Sequence, residues 1–171
     1  FTSRVIASTG ADVAAAISGA VGAMSGPLHG GAPSRVLGMI EEIERSGDAT
    51  AYVKGVLDRG ERLMGFGHRV YRAEDPRARV LRRTARELNA PRYEVAEALE
   101  KAALEELRAR RPDRVLETNV EFWAAIVLDF AQVPAHMFTS MFTCARLAGW
   151  SAHTLEQKRT GRLIRPSARY V

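Results

Sequence analysis

Cysteine is all but missing: Cys144 is the single one in 171 residues. That excludes an internal disulfide framework and any cysteine-based metal site, and it fits a reducing compartment. Aromatic residues make up only 7%, and no uninterrupted apolar run reaches the roughly 18 to 20 residues that a membrane-crossing helix needs. Lysine is scarce as well, since Lys54, Lys101 and Lys158 leave 22 of the 25 basic positions to arginine. The chain contains no His-x-x-x-His pair, no Walker loop, no Gly-x-Gly-x-x-Gly and no Gly-x-Ser-x-Gly. Zinc, P-loop phosphates, Rossmann dinucleotides and serine hydrolysis therefore lack support. The chain opens at Phe1 without Met and without the charged, apolar and small-residue order of a signal peptide. The expectation is a cytoplasmic protein whose natural translation start lies elsewhere.

What is present is an ordinary globular balance, 46% hydrophobic and 26% charged, with a formal net charge of +5. The excess of arginine fits nucleic acid, anionic small molecules, or a solvated face covered by long charged side chains. Helical signals run almost throughout. Thr2 to Ala23 is rich in Ala, Val, Ile, Ser and Gly and reads as one tightly packed buried helix that stops at Gly26-Pro27. Ser34 is placed to cap a helix through about Arg45, and Asp48 one that ends at Gly60. Asp75-Pro76 supplies an N-cap with Pro at the first helical position, opening a helix to Leu88. Pro91 to Arg111 carries Val95, Leu99, Ala102, Ala103 and Leu107 on one stripe and reads as a surface helix. After Asn119 come Phe122, Trp123, Ile126, Val127, Leu128 and Phe130, then Met137, Phe138, Met141 and Phe142, two apolar helices that belong to a core. No segment sustains period-two alternation, so the fold class is all-α. The apolar first and last parts, 1–32 and 118–171, bracket a more charged middle, 33–117, which suggests a smaller helical lobe inserted into a larger helical body with the site in the cleft between them.

Two glycine-flanked histidines stand out. His29 lies in Gly26-Pro27-Leu28-His29-Gly30-Gly31-Ala32, and His68 in Gly65-Phe66-Gly67-His68-Arg69-Val70-Tyr71-Arg72, which runs into Asp75-Pro76-Arg77. Glycine lets main-chain amides and a titratable ring approach a ligand together, although each histidine also reads as a helix-end cap or a turn residue. Arg77 falls in the first turn of its helix, where the dipole disfavours a cation unless an anion joins it, so it resembles a carboxylate or phosphate receptor or else is a surface arginine. Glu121 opens an otherwise apolar helix as a cap or as a general base. Arg146 is the one charge between Gln132 and Ala152 and needs an anionic partner, a structural carboxylate or a ligand. His136 and His153 have no comparable context.

Taken in order, Gly-Pro-Leu-His-Gly-Gly-Ala, Gly-Phe-Gly-His-Arg-Val-Tyr with Asp-Pro-Arg, Asn-Val-Glu-Phe, and Ala-Arg-Leu-Ala-Gly-Trp resemble the signature segments of the citrate synthase family, across essentially the whole chain. The resemblance implies a helical homodimer of large and small domains that condenses acetyl-CoA with oxaloacetate to citrate in the tricarboxylic acid cycle, with acetyl-CoA as co-substrate, no permanently bound cofactor and no metal. It gives His29 the thioester oxygen, Glu121 the methyl proton and His68 the oxaloacetate carbonyl. Arg77 and Arg146 would hold the oxaloacetate carboxylates, joined by Arg165 reaching across from the other subunit. Arg72 and Asn119 match positions that contact CoA, with the Gly65, Phe66 and Gly67 backbone along it. Two departures accompany the match. Glu121 stands where the family has aspartate, and a displacement of about 1 Å can cost roughly 100-fold in rate unless the pocket adjusts. The N-terminal half of the large domain, with an oxaloacetate-binding histidine, is absent from this chain, so the isolated chain is expected to aggregate or be inactive. The nearest rival is a 2-methylcitrate synthase using propionyl-CoA. A citrate-synthase-like domain of a larger enzyme such as ATP-citrate lyase is a further alternative. A basic helical nucleic-acid-binding module is more distant, because Glu94, Glu97, Glu100, Glu105 and Glu106 interrupt the basic stretch.

Overall fold

Capping residues set the starts of four helices in the computed structural model, which describes residues 1–26, 31–71, 73–167 and 169. Among these the chain is all-helical: α1 Thr2–Ser8, α2 Val13–Met24, α3 Ala32–Ser46, α4 Ala49–Asp58, α5 Pro76–Glu87, α6 Tyr93–Arg110, α7 Val120–Phe130, a 3₁₀ turn Ala135–Met137 and α8 Phe138–Thr160. Asp48 accepts the Ala51 amide at 2.9 Å to start α4, and Asp75 accepts the Arg77 amide at 3.0 Å to start α5. Gly47, at φ +76°, ends α3 in the left-handed conformation that glycine adopts without strain.

The continuous helix expected over Thr2 to Ala23 is instead two. Gly10 turns the chain and Asp12 accepts the Ala15 amide at 2.7 Å, which begins α2 anew. Ala16, Ala20 and Met24 form its one buried stripe, so α2 is not buried all round. Ser34 does not cap α3 either; it lies inside the first turn and its hydroxyl donates to the Gly31 carbonyl.

The chain divides into two compact units, Phe1–Gly30 with Thr139–Val171, and Gly31–Phe138. In the first, α1 packs on α2, and Arg4 donates to Gln157 and to Glu156 of α8 at 3.2 and 2.7 Å. In the second, α7 packs on α3 and α5, and α6 on α4 and α3. Val36, Ile40, Val53, Leu99, Phe122, Trp123, Ile126 and Phe138 form its dry centre, each large side chain contributing about 1.5 to 3 kcal/mol. Because α7 packs on α3 and α5, this unit runs past residue 117 to Phe138.

α6 buries Leu99, Ala102, Ala103 and Leu107 of the expected stripe. The segment after Asn119 is less uniformly interior than its composition suggests: Phe122 and Trp123 are fully buried, yet Phe130, Met137 and Met141 are exposed. No helix among the described residues is long and apolar enough to cross a membrane.

Candidate active site

The Gly65–Gly67 loop is built by pairing with the residues before α7. Gly67 N–H donates to the Glu117 carbonyl at 2.7 Å and Asn119 N–H to the Gly65 carbonyl at 2.9 Å, on either side of an isolated bridge between Phe66 and Thr118. Asn119 secures the join twice more. Its Nδ2 donates to the Gly67 carbonyl at 3.0 Å, and its Oδ1 accepts the Glu121 amide at 3.0 Å as the N-cap of α7. Gly65 has no alternative residue: its φ is +87°, and a Cβ there would stand 2.8 Å from Phe122 Cβ. The ring of Phe66 packs on that of Phe122, with centroids 5.3 Å apart.

This pairing brings His68 out beside α5. The amides of Val70 and Tyr71 donate to His68 Nδ1 at 3.0 and 3.1 Å. A nitrogen that accepts two amides carries no proton, which assigns the hydrogen of the neutral ring to Nε2. Arg77 Nη2 lies 3.3 Å from that Nε2. The two nitrogens then stand side by side as donors, an arrangement that an acceptor oxygen placed between them would relieve. The Tyr71 ring supports both groups, its centroid 4.7 Å from that of His68 and 5.5 Å from the Arg77 guanidinium carbon.

Asp75 fixes Arg77 in this position. Its buried carboxylate accepts Arg77 Nε at 3.0 Å, Arg77 Nη2 at 2.8 Å, the Arg77 amide at 3.0 Å and the Val120 amide at 3.1 Å. Burial opposes its ionisation, but the Arg77 side chain and the two amides outweigh that and hold its pKa below the usual carboxylate value. The anion that the first-turn arginine requires is thus partly supplied from within. Hydrogen bonding to Asp75 raises the Arg77 pKa against partial burial, and the charges of Asp75 and Glu121 add to the effect. The guanidinium stays 39% exposed, so it is both anchored and presented. Glu121, half-buried in the first turn of α7, completes the group.

One unit therefore gathers Gly65, Phe66, Gly67, His68, Arg77, Asn119 and Glu121. Arg146 and Arg165 belong to the other unit: Arg146 is half-buried on α8 with its guanidinium 5.1 Å from the Phe142 ring centre, and Arg165 is exposed in the segment after α8. His29 and Arg72 lie outside the described residues. Sequence reasoning saw Asp75 only as a cap and gave Tyr71 no role. No group of three or more His, Cys, Asp or Glu among the described residues could hold a metal ion.

The family description "Citrate synthase, C-terminal domain" matches residues 1–167, and the chain belongs to the citrate synthase family. It is 77% identical over 171 residues to the Mycobacterium tuberculosis protein named "Putative citrate synthase 2", covering all of this chain and 46% of that protein. It is 38% identical over 176 residues to the 2-methylcitrate synthase of Shewanella oneidensis, covering all of this chain and 45% of that protein. A solved ternary complex of carboxymethyl coenzyme A and oxaloacetate with the citrate synthase of Thermoplasma acidophilum superposes with a TM-score of 0.83 at 32% identity, over 99% of this chain and 46% of that one. The chain spans about half the length of these relatives.

Proposed function

We propose that this chain is the C-terminal part of an enzyme that condenses acetyl-CoA with oxaloacetate to citrate and CoA. The observation that carries the reading is the His68 Nε2 and Arg77 Nη2 donor pair, 3.3 Å apart, beside Glu121. His68, protonated at Nε2, donates a hydrogen bond to the ketone oxygen of oxaloacetate and stabilises the negative charge that develops there as the new bond forms. Arg77, held by Asp75, and Arg146 hold the oxaloacetate carboxylates, joined by Arg165 from the second subunit of a homodimer. Glu121 removes the methyl proton of the thioester, while His29 donates to the thioester oxygen as the enolate forms. The enolate carbon then bonds to the ketone carbon, and water hydrolyses the citryl thioester to release CoA. Gly65, Phe66, Gly67, Arg72 and Asn119 lie along the CoA. The unit 31–138 corresponds to the small domain, expected over 33–117, and residues 1–30 with 139–171 to the part of the large domain that an N-terminal half completes. The location is cytoplasmic.

The full-length protein tests this through CoA release with oxaloacetate present. Glu121→Gln and His68→Gln are each expected to lower kcat by about 10² to 10⁴-fold while the melting temperature holds. Wild-type protein that releases no CoA sinks the reading, as do variants that keep full activity. The likeness to a 2-methylcitrate synthase favours propionyl-CoA as a second reading. One methylene in the acyl pocket discriminates by about 1 to 3 kcal/mol, so kcat/KM for the two thioesters decides between them.

A further inference from the structure

We propose that Glu100 is a positioning residue of this site, fixing α7 against α5 so that Glu121 and Arg77 keep their relation. The inference rests on the functional reading above. Glu100 sits on the core-facing stripe of α6 among Ala96, Leu99 and Ala103 and is only 5% exposed. A carboxylate so placed is costly unless both oxygens are satisfied. Each is, by a different helix: Oε1 accepts the indole N–H of fully buried Trp123 at 2.9 Å, and Oε2 accepts Arg82 Nη1 at 3.0 Å.

Trp123 follows Glu121 closely on α7, and Arg82 lies one turn or so beyond Arg77 on α5. Arg82 Nη2 also reaches Glu74, the neighbour of Asp75, at 3.0 Å. Asp75 already joins the two helix starts by accepting from Arg77 and Val120. The two helices also pack on each other directly. Glu100 adds a second join further along both helices, and with two points held, α5 turns relative to α7 only by breaking a charged hydrogen bond. Apolar residues of similar volume fill such a position with equal or greater stability, so burial alone does not account for a carboxylate here. A displacement of about 1 Å between catalytic groups costs roughly 100-fold in rate.

The test uses the full-length protein with Glu100→Gln, which still accepts from Trp123 but turns an amide N–H toward Arg82, and with Arg82→Gln, which acts from the half-exposed side. Both are expected to lower kcat by about 10 to 100-fold with the thioester KM within about threefold. Amide exchange at Val120, Val70 and Tyr71 is expected to quicken at least about tenfold while Ile40 in α3 stays protected. Unchanged kcat in a wild-type-active protein overturns the proposal. So does unchanged exchange at Val120, or a rise at Ile40 equal to that at Val120, which marks general loosening. If the wild type releases no CoA, the functional reading fails by itself, and the exchange pattern still decides whether Glu100 positions α7.

Discussion

At Gly65 two independent constraints meet in one residue. The backbone is left-handed at φ +87°, and an added Cβ would lie 2.8 and 2.9 Å from Phe122 Cβ and Cδ2. Gly60 has a comparable φ of +72° but nothing within 4 Å. Gly60→Ala is therefore expected to cost about 1 kcal/mol, the conformational penalty alone, and Gly65→Ala roughly 2 to 4 kcal/mol, because the loop or Phe122 must also move. Urea denaturation of both variants measures the difference, and equal losses would show that the packing constraint is absent. The sequence made such residues legible where their work is local. Gly-Phe-Gly-His and Asp-Pro-Arg marked a turn and a cap, because a cap and its amide are neighbours in the chain. The Asp75 contact with Val120 and the Glu100 contact with Trp123 join residues far apart in sequence, and no local pattern encodes them.

At the scale of elements, the join between α5 and α7 has a pH dependence whose sign follows from Asp75. Its folded-state pKa lies below the ordinary 3.8, since the Arg77 and Val120 donors outweigh burial. The stability it contributes is therefore fully present above that ordinary value and is lost as pH falls through the lower, folded-state one. Asp75→Asn is expected to lower stability by about 2 to 3 kcal/mol near neutrality. That deficit should shrink as the wild type protonates in strong acid. Urea midpoints taken from pH 7 down to pH 2 read the effect, and a deficit that stays constant to the lowest pH would remove Asp75 as its source. Element limits were legible at α4, α5 and α6, where Asp48, Asp75 and Pro112 punctuate the pattern. The break between α1 and α2 was not. Small residues on both sides of Gly10 suit a buried helix, and the Asp12 cap that restarts it competes with nothing visible in the hydrophobic pattern.

At the scale of the whole molecule, the two compact units differ in how much core each holds. The buried apolar cluster from Val36 to Phe138 lies wholly within Gly31–Phe138. A fragment of residues 31–138 is accordingly expected to unfold cooperatively in urea, with circular dichroism and Trp123 fluorescence changing together. The 1–171 chain exposes large apolar residues in both units, Phe1, Val13, Val21, Met141, Leu155 and Leu163 in the first and Val70, Val80, Leu88, Val115, Phe130 and Met137 in the second. Exposed apolar surface favours association where it is contiguous. The 1–171 chain is therefore expected to elute from size exclusion above its monomer mass. A monomeric 1–171 chain would mean that its exposed apolar residues are too dispersed to form an adhesive face. A fragment that melts without cooperativity would mean that the core of the second unit depends on the rest of the chain, and α5 and α7 would then owe their relation to more than Asp75 and Glu100.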